Sequence, residues 1–388
     1  MKEIKAYIYI DALGWKTASD FMADVFSYRR GVKSQLGYSA AALSAVLSGE
    51  APARHGVFCD FYLDRKNSPF KRFKYLKYFF GAGMHPACLF NRKPVREAIS
   101  KASARLCKYS GRLNLYRVPY DYLQYFDTVQ KRDVASLGGL FPVENLRDVL
   151  ENSGVSFYMS DWRKSQGEDL SLAVDSISKG AEFLFVCVRG LGDFLMCNAD
   201  NKAAVDGRLK ACREDILKIL NALRSSGRPY KLTVMSGLGM LPCSGSVDLK
   251  KAVDGLNLKY GSDYIAFYDS TMARFWYMNS SAKERIRAEL STPKYSGGFI
   301  SGEQKNEYGI LFEDGRFGED IFLLNGGFQI APSYISVKPF KASCGYSPDI
   351  EGTRASFLST RNPEFEPESV SDFFMLMKSD IGAASEIA

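Results

Sequence analysis

Histidine is nearly missing from this chain: His55 and His85 are the only two in 388 residues. That scarcity removes much hydrolytic chemistry. A Ser–acid–His triad in the α/β-hydrolase order needs its histidine well downstream of the nucleophile, and none follows His85. The common phosphate cradles are missing too, since neither GxxxxGKS/T nor GxGxxG occurs. No apolar run approaches the roughly 18 residues of a membrane span; the longest core-like run is FLFVCV, Phe183–Val188. The opening MKEIKAYIYIDALG enters a strand directly, without a signal-peptide pattern. A cytoplasmic protein, soluble or peripheral at a membrane, is therefore expected. Eight cysteines (59, 88, 107, 187, 197, 212, 243 and 344) form no CxxC. Several lie in apolar patterns, which favours buried free thiols over a disulfide framework. RRM, KH, helix-turn-helix and zinc-finger patterns are also absent.

What is present is globular: 46% hydrophobic, 24% charged and 13% aromatic residues argue against disorder. The net charge of +7 is unevenly spread. Between Arg65 and Arg112 stand 13 Lys/Arg and one acid, Glu97, so this stretch carries +12 and the rest about −5. Within it, Phe70, Phe73, Leu76 and Phe80 recur at roughly helical spacing among the basic residues. Three readings fit: a solvated lid whose aromatics pack inward, contact with an anionic membrane surface or lipid-linked substrate, or nucleic-acid binding. The missing nucleic-acid motifs rank the last lowest. Residues 60–145 are expected to form an inserted basic, aromatic-rich cap, with 1–59 and 146–388 as the core.

Elements follow from period and punctuation. Residues 4–11 read as a buried strand, and Ser39–Leu47 as a helix stopped by Gly49 and Pro52. A short helix at 145–152, a strand VSFYMS, a helix at 169–179 and the strand FLFVCV give a βαβ rhythm. Asn201–Leu223 is amphipathic, with Leu209, Cys212, Ile216, Ile219 and Leu223 on one face. Strands KLTVMS (231–236) and YIAFYDS (264–270), a helix at 280–291, short strands near 308–312 and 320–324, and a helix around Ser371–Met377 complete the pattern. This alternation predicts an α/β fold with a mostly parallel sheet and helices on both faces.

One constellation stands out. Asp11 ends the first strand, and Ser39 stands before an Ala/Leu-rich helical run in GYSAAALSAVLSGEAPARHG. A hydroxyl there lies where helix N–H groups favour an anion, although a serine at a helix start is equally an ordinary N-cap. Lys33 and Arg189 are candidate anion-binding charges. SGLGM (236–240) is a Gly-rich turn at a strand end.

YIYIDALGW, the GYS…SGEAPARHG block, LTVMSGLGM, YIAFYDSTMARFW and CGYSPD, in this order and spacing, resemble the alkaline-phosphatase superfamily, in its type I phosphodiesterase/nucleotide pyrophosphatase branch. The resemblance covers most of residues 4–360 and implies an alkaline-phosphatase-like α/β sandwich with an inserted cap. It also implies two zinc ions around a Thr/Ser nucleophile, held by six Asp and His side chains. Asp11 matches the first ligand and Ser39 the nucleophile. The other five ligand positions are occupied by Gly192, Met196, Gly237, Leu238 and Cys344. A register shifted by one residue offers Asp193, Cys197 and Cys344 for a single zinc; buried structural cysteine is the commoner state.

Two functions compete. The first is a degenerate, metal-free phosphodiesterase-like protein, a pseudoenzyme without a cofactor that binds an anionic small molecule, a lipid-linked intermediate or a partner. The second is a metal-independent transferase or hydrolase in a biosynthetic pathway, with Ser39 as nucleophile oriented by Asp11.

Overall fold

The computed structural model describes residues 2–76 and 92–385. His85, Cys88 and the second half of the basic aromatic run lie outside the described residues. The chain divides into two compact units: Met1–His55, Ala135–Pro242 and Pro348–Ala388 form the first, and Gly56–Val134 with Cys243–Ser347 the second. Most of the 60–145 stretch thus belongs to a unit that also takes in 243–347.

The first unit is built on a six-stranded sheet: β1 (Ile4–Ile10), β2 (Tyr28–Val32), β3 (Phe157–Met159), β4 (Phe183–Val188), β5 (Tyr230–Met235) and β6 (Ala355–Ser359). Their order is β2-β6-β5-β1-β4-β3. β1 runs parallel to both β4 and β5, and β3 parallel to β4. β6 is antiparallel to β5 and β2. The sheet is therefore mostly parallel, as the βαβ rhythm predicts.

Near-continuous apolar strands are what a sheet covered on both faces requires. Because side chains alternate along a strand, Ile4, Ala6, Ile8 and Ile10 share one face of β1, and they pack in one core with Leu184, Val186, Leu232 and Val234. Helix α3 (Gln166–Ser178) adds Leu170, Ala173 and Ile177 to that core, and helix α5 (Lys202–Ser225) adds Cys212, Ile216, Ile219 and Leu223. The apolar stripe read from the sequence is the one buried, and Asn201 caps its helix by accepting from the Ala204 N–H at 3.1 Å. On the opposite face Tyr7 and Tyr9 stack on Phe183 and Phe185. There the C-terminal helix α6 (Asp372–Ser385) brings Asp380 onto the Tyr7 hydroxyl and the Lys231 ammonium, the latter at 2.9 Å. Helices α1 (Ser39–Ser48) and α2 (Leu146–Ser153) pack against α6, and α4 (Leu191–Asn198) follows β4.

The second unit holds a four-stranded antiparallel sheet, ordered 264–268, 272–277, 320–324, 297–299. Phe70 is buried in its core, and Phe73 packs on Phe70 and Tyr120. No strand forms at 308–312: Tyr308 ends the helix Gly302–Glu307, which Ser301 and Gln304 cap reciprocally, and Gly309 follows with a φ of 64°. The tail helix is longer than expected, Asp372–Ser385. Among the described residues, no helix is long and apolar enough to cross a membrane.

Candidate functional site

The C-terminal ends of parallel strands in an open α/β sheet are where such folds place ligands. In the first unit this edge gathers Asp11 directly after β1, Gly192 in the first turn of α4 after β4, and Gly237 and Leu238 directly after β5. Since β5, β1 and β4 are neighbours, these positions, far apart in sequence, share one edge.

Asp11 does not stand open there. Its Oδ1 accepts from the Leu191 N–H at 3.1 Å and its Oδ2 from the Gly192 N–H at 3.2 Å. The carboxylate thus occupies the N-terminus of α4, satisfying two N–H groups that a helix start leaves without partners. A Cβ on residue 192 would lie 3.0 Å from Asp11 Oδ2, so a side chain there would require the carboxylate to give by a few tenths of an ångström. Burial raises the Asp11 pKa; the two N–H donors act the other way, as does the positive charge of Arg208.

The β5 side is closed in a similar manner. A Cβ on residue 237 would stand 2.7 Å from the Ala42 Cβ of α1 and 2.7 Å from the Tyr9 hydroxyl. Tyr9 is itself buried, and Leu238 is buried beside this turn. Space that a longer side chain at 237 would enter is filled by a helix alanine and a phenol.

Ser39 is the first residue of α1, after Tyr38 as N-cap, and it is exposed. Its hydroxyl is thus not the N-cap. Met196 is half-buried on α4, while Asp193 and Cys197, one turn apart, are exposed. Cys344 lies in the second unit, where its carbonyl accepts from the Thr271 hydroxyl at 3.0 Å. Among the described residues, no three His, Cys, Asp or Glu side chains gather closely enough to hold a metal ion.

The two candidate cations have other work. Lys33 pairs with Asp349 at 3.0 Å. Arg189 donates to the Asp161 and Lys164 carbonyls at 3.2 and 3.0 Å and lies 3.7 Å from the buried Asp169 carboxylate. The basic residue that acts on Asp11 is instead Arg208 of α5, which donates to the Arg189 carbonyl at 2.6 Å. Its signal in the sequence was faint, a charge beside Leu209 on an otherwise regular amphipathic helix. His55 is buried, and desolvation pushes its pKa down to about 4, so the ring is neutral near pH 7.

No family model and no curated protein matches this sequence. Solved structures do share its fold. They include human ectonucleotide pyrophosphatase/phosphodiesterase 5, with a TM-score of 0.68 and 9% identity. The murine protein matches at a TM-score of 0.68 and 10% identity, as does an inactive form of it in complex with AMP. Each match covers 98% of this chain and 95% of the other. The likeness at such identities is one of fold: the chain has an alkaline-phosphatase-type α/β fold like that of the nucleotide pyrophosphatase/phosphodiesterases.

Proposed function

We propose that this chain is a metal-free relative of the phosphodiesterases whose fold it has, binding an anionic, phosphate-bearing ligand without hydrolysing it. The observation that carries the reading is the seat of Asp11. The one acidic side chain kept at the resemblance's ligand positions has both oxygens on the helix α4 N–H groups. The donors present do not fit a pair of zinc ions: positions 192, 196, 237 and 238 offer no carboxylate or imidazole. At 237 the volume a ligand side chain needs is already occupied, and at 192 a Cβ would press on the Asp11 carboxylate. Elemental analysis of purified protein should find less than one zinc per chain after dialysis against the metal, and no zinc-dependent cleavage of a chromogenic phosphodiester. Two tightly held zinc ions would sink the reading. AMP, the ligand in the murine complex, is the first probe for binding by calorimetry.

A second reading draws on Ser39. Its hydroxyl is exposed at the start of a ten-residue helix and is not consumed as the N-cap, so it remains open to covalent chemistry as a metal-independent nucleophile in a transferase or hydrolase. Mass spectrometry of protein incubated with activated phosphate and acyl donors decides between the two. An adduct on Ser39, absent from Ser39→Ala, supports the nucleophile; retention of ligand binding and cellular function by Ser39→Ala supports the binding protein.

A further inference from the structure

We propose that the helix Lys93–Leu106 of the second unit, with the turn that leads out of it to Lys108, docks on an anionic lipid surface. The proposal is independent of what the Asp11 edge does.

It begins from charge: residues 65–112 carry +12. The helix sorts that charge by face. Arg96 points inward and is 4% exposed; it donates to the Val118 carbonyl at 2.8 Å and stacks on the Tyr120 ring at 3.9 Å. Ser100 and Ser103, on the same face by helical spacing, are buried with it. The other face is exposed and basic. Arg92, Lys101, Arg105 and Lys108 are all exposed and make no ion pair with the described residues, while Lys93 is shared with the single acid, Glu97, at 3.8 Å. Alongside them Ala98, Ala102 and Leu106 form an exposed strip at four-residue spacing, and Leu106 is 84% exposed.

This composition fits lipid better than nucleic acid. Single-stranded nucleic acid is held by exposed aromatics on which bases stack, and the helix Lys93–Leu106 carries no aromatic residue. Among the described aromatics earlier in the basic stretch, Phe70 is 1% exposed and Phe73 packs against Phe70 and Tyr120, while Tyr75 is exposed. What the basic face shows instead is aliphatic. Cationic side chains around an apolar strip match the headgroup region of an acidic bilayer, where phosphates meet the first methylenes.

Vesicle co-sedimentation of the full chain tests it, using phosphatidylcholine alone and phosphatidylcholine with about one-third phosphatidylglycerol. Binding is expected to the acidic vesicles only, and to be lost at roughly 0.5 M salt, where screening removes the electrostatic attraction. The variant Lys101→Gln/Arg105→Gln/Lys108→Gln removes three charges, each worth about fivefold in partitioning, so it should bind about 100-fold more weakly with an unchanged thermal melt. Leu106→Gln should weaken vesicle binding while keeping every charge. Equal binding to neutral vesicles, or full binding by the triple variant, overturns the proposal. So does binding of a single-stranded oligonucleotide that the triple variant loses, if acidic vesicles are not bound.

Discussion

At the scale of single residues, the C-terminal edge of the first unit shows how an empty-looking position acquires a role. Gly192 and Gly237 read in the sequence as lost ligands; in the fold Gly237 is a close approach that a side chain would break, and at Gly192 a side chain would press on the Asp11 carboxylate. Gly192→Asp should destabilise by about 2–4 kcal/mol, since it drives a second carboxylate and a Cβ against Asp11. The cost should shrink by at least ~1 kcal/mol when Asp11→Ala is present, because the two share one space. Urea denaturation of the four proteins in that cycle measures the coupling, and strictly additive effects would contradict the steric account. Gly237→Asp meets Ala42 and Tyr9 at 2.7 Å, and added zinc should restore neither variant. His55 gives the pH-dependent counterpart. Its folded pKa of about 4 lies below the unfolded value near 6.5. The unfolded chain therefore binds more protons in that window, and stability is full above pH 6.5 and falls as the pH drops towards 4. The loss amounts to about 3 kcal/mol. The stability difference between the native chain and His55→Gln should narrow by that amount from pH 7 to 4; a constant difference would show the imidazole is not the group responsible.

At the scale of elements, the hairpin of the second unit carries its own electrostatics. Arg274, on the strand 272–277, is fully buried; it donates to Asp269 at 2.8 Å and to the Phe61 carbonyl at 2.7 Å, with the Phe267 ring 4.8 Å away. Breaking such a pair from one side leaves a buried charge, so Arg274→Met should cost about 3–5 kcal/mol. Adding Asp269→Asn should recover part of it, as chemical denaturation can show. The DSTMARFW block is thus explained by a buried pair five residues apart around a tight turn, something no hydrophobic period could reveal. The same limit runs through the rest of the fold. β1, β4 and β5 were legible as apolar runs, and α5 was legible because its stripe and its Asn201 cap agree. β2 was not, because YRRGV is a half-exposed edge strand, and neither was the short, small-residue β6, ASFLS. The site was legible as a set of positions and substitutions. That Asp11 seats on α4, that Tyr9 fills the space beside Gly237, and that the positive charge of Arg208 bears on Asp11 are tertiary facts, set by which strand ends the sheet order brings together.

At the scale of the whole chain, the central question is whether residues 60–145 are a removable insert. The second unit argues that they are not. Phe61, Phe70, Leu115, Val118, Leu123 and Phe126 share one core with Tyr264, Phe267, Phe275, Trp276 and Tyr334. The strand 61–63 pairs with 126–128, the Phe126 ring meets Phe267 at 5.1 Å, and Tyr122 stacks on Tyr260 at 3.7 Å. Each of those six buried side chains is worth about 1.5–3 kcal/mol of transfer free energy, so excising them forfeits roughly 9–18 kcal/mol. That matches the entire stability of a typical domain, about 5–15 kcal/mol. A chain with 60–145 replaced by a short Gly/Ser linker should therefore lose the fixed packing of 243–347: its near-UV circular dichroism should flatten, and it should bind a hydrophobic dye that the native chain does not. A deletion variant that stays monodisperse, keeps its near-UV signal and excludes the dye would show that 243–347 folds without the N-terminal segment. In that case the basic stretch would be a true cap, and any membrane-docking face would be an appendage to the fold. If the packing is lost as expected, the basic face is part of the same cooperative unit as the aromatic core beneath it.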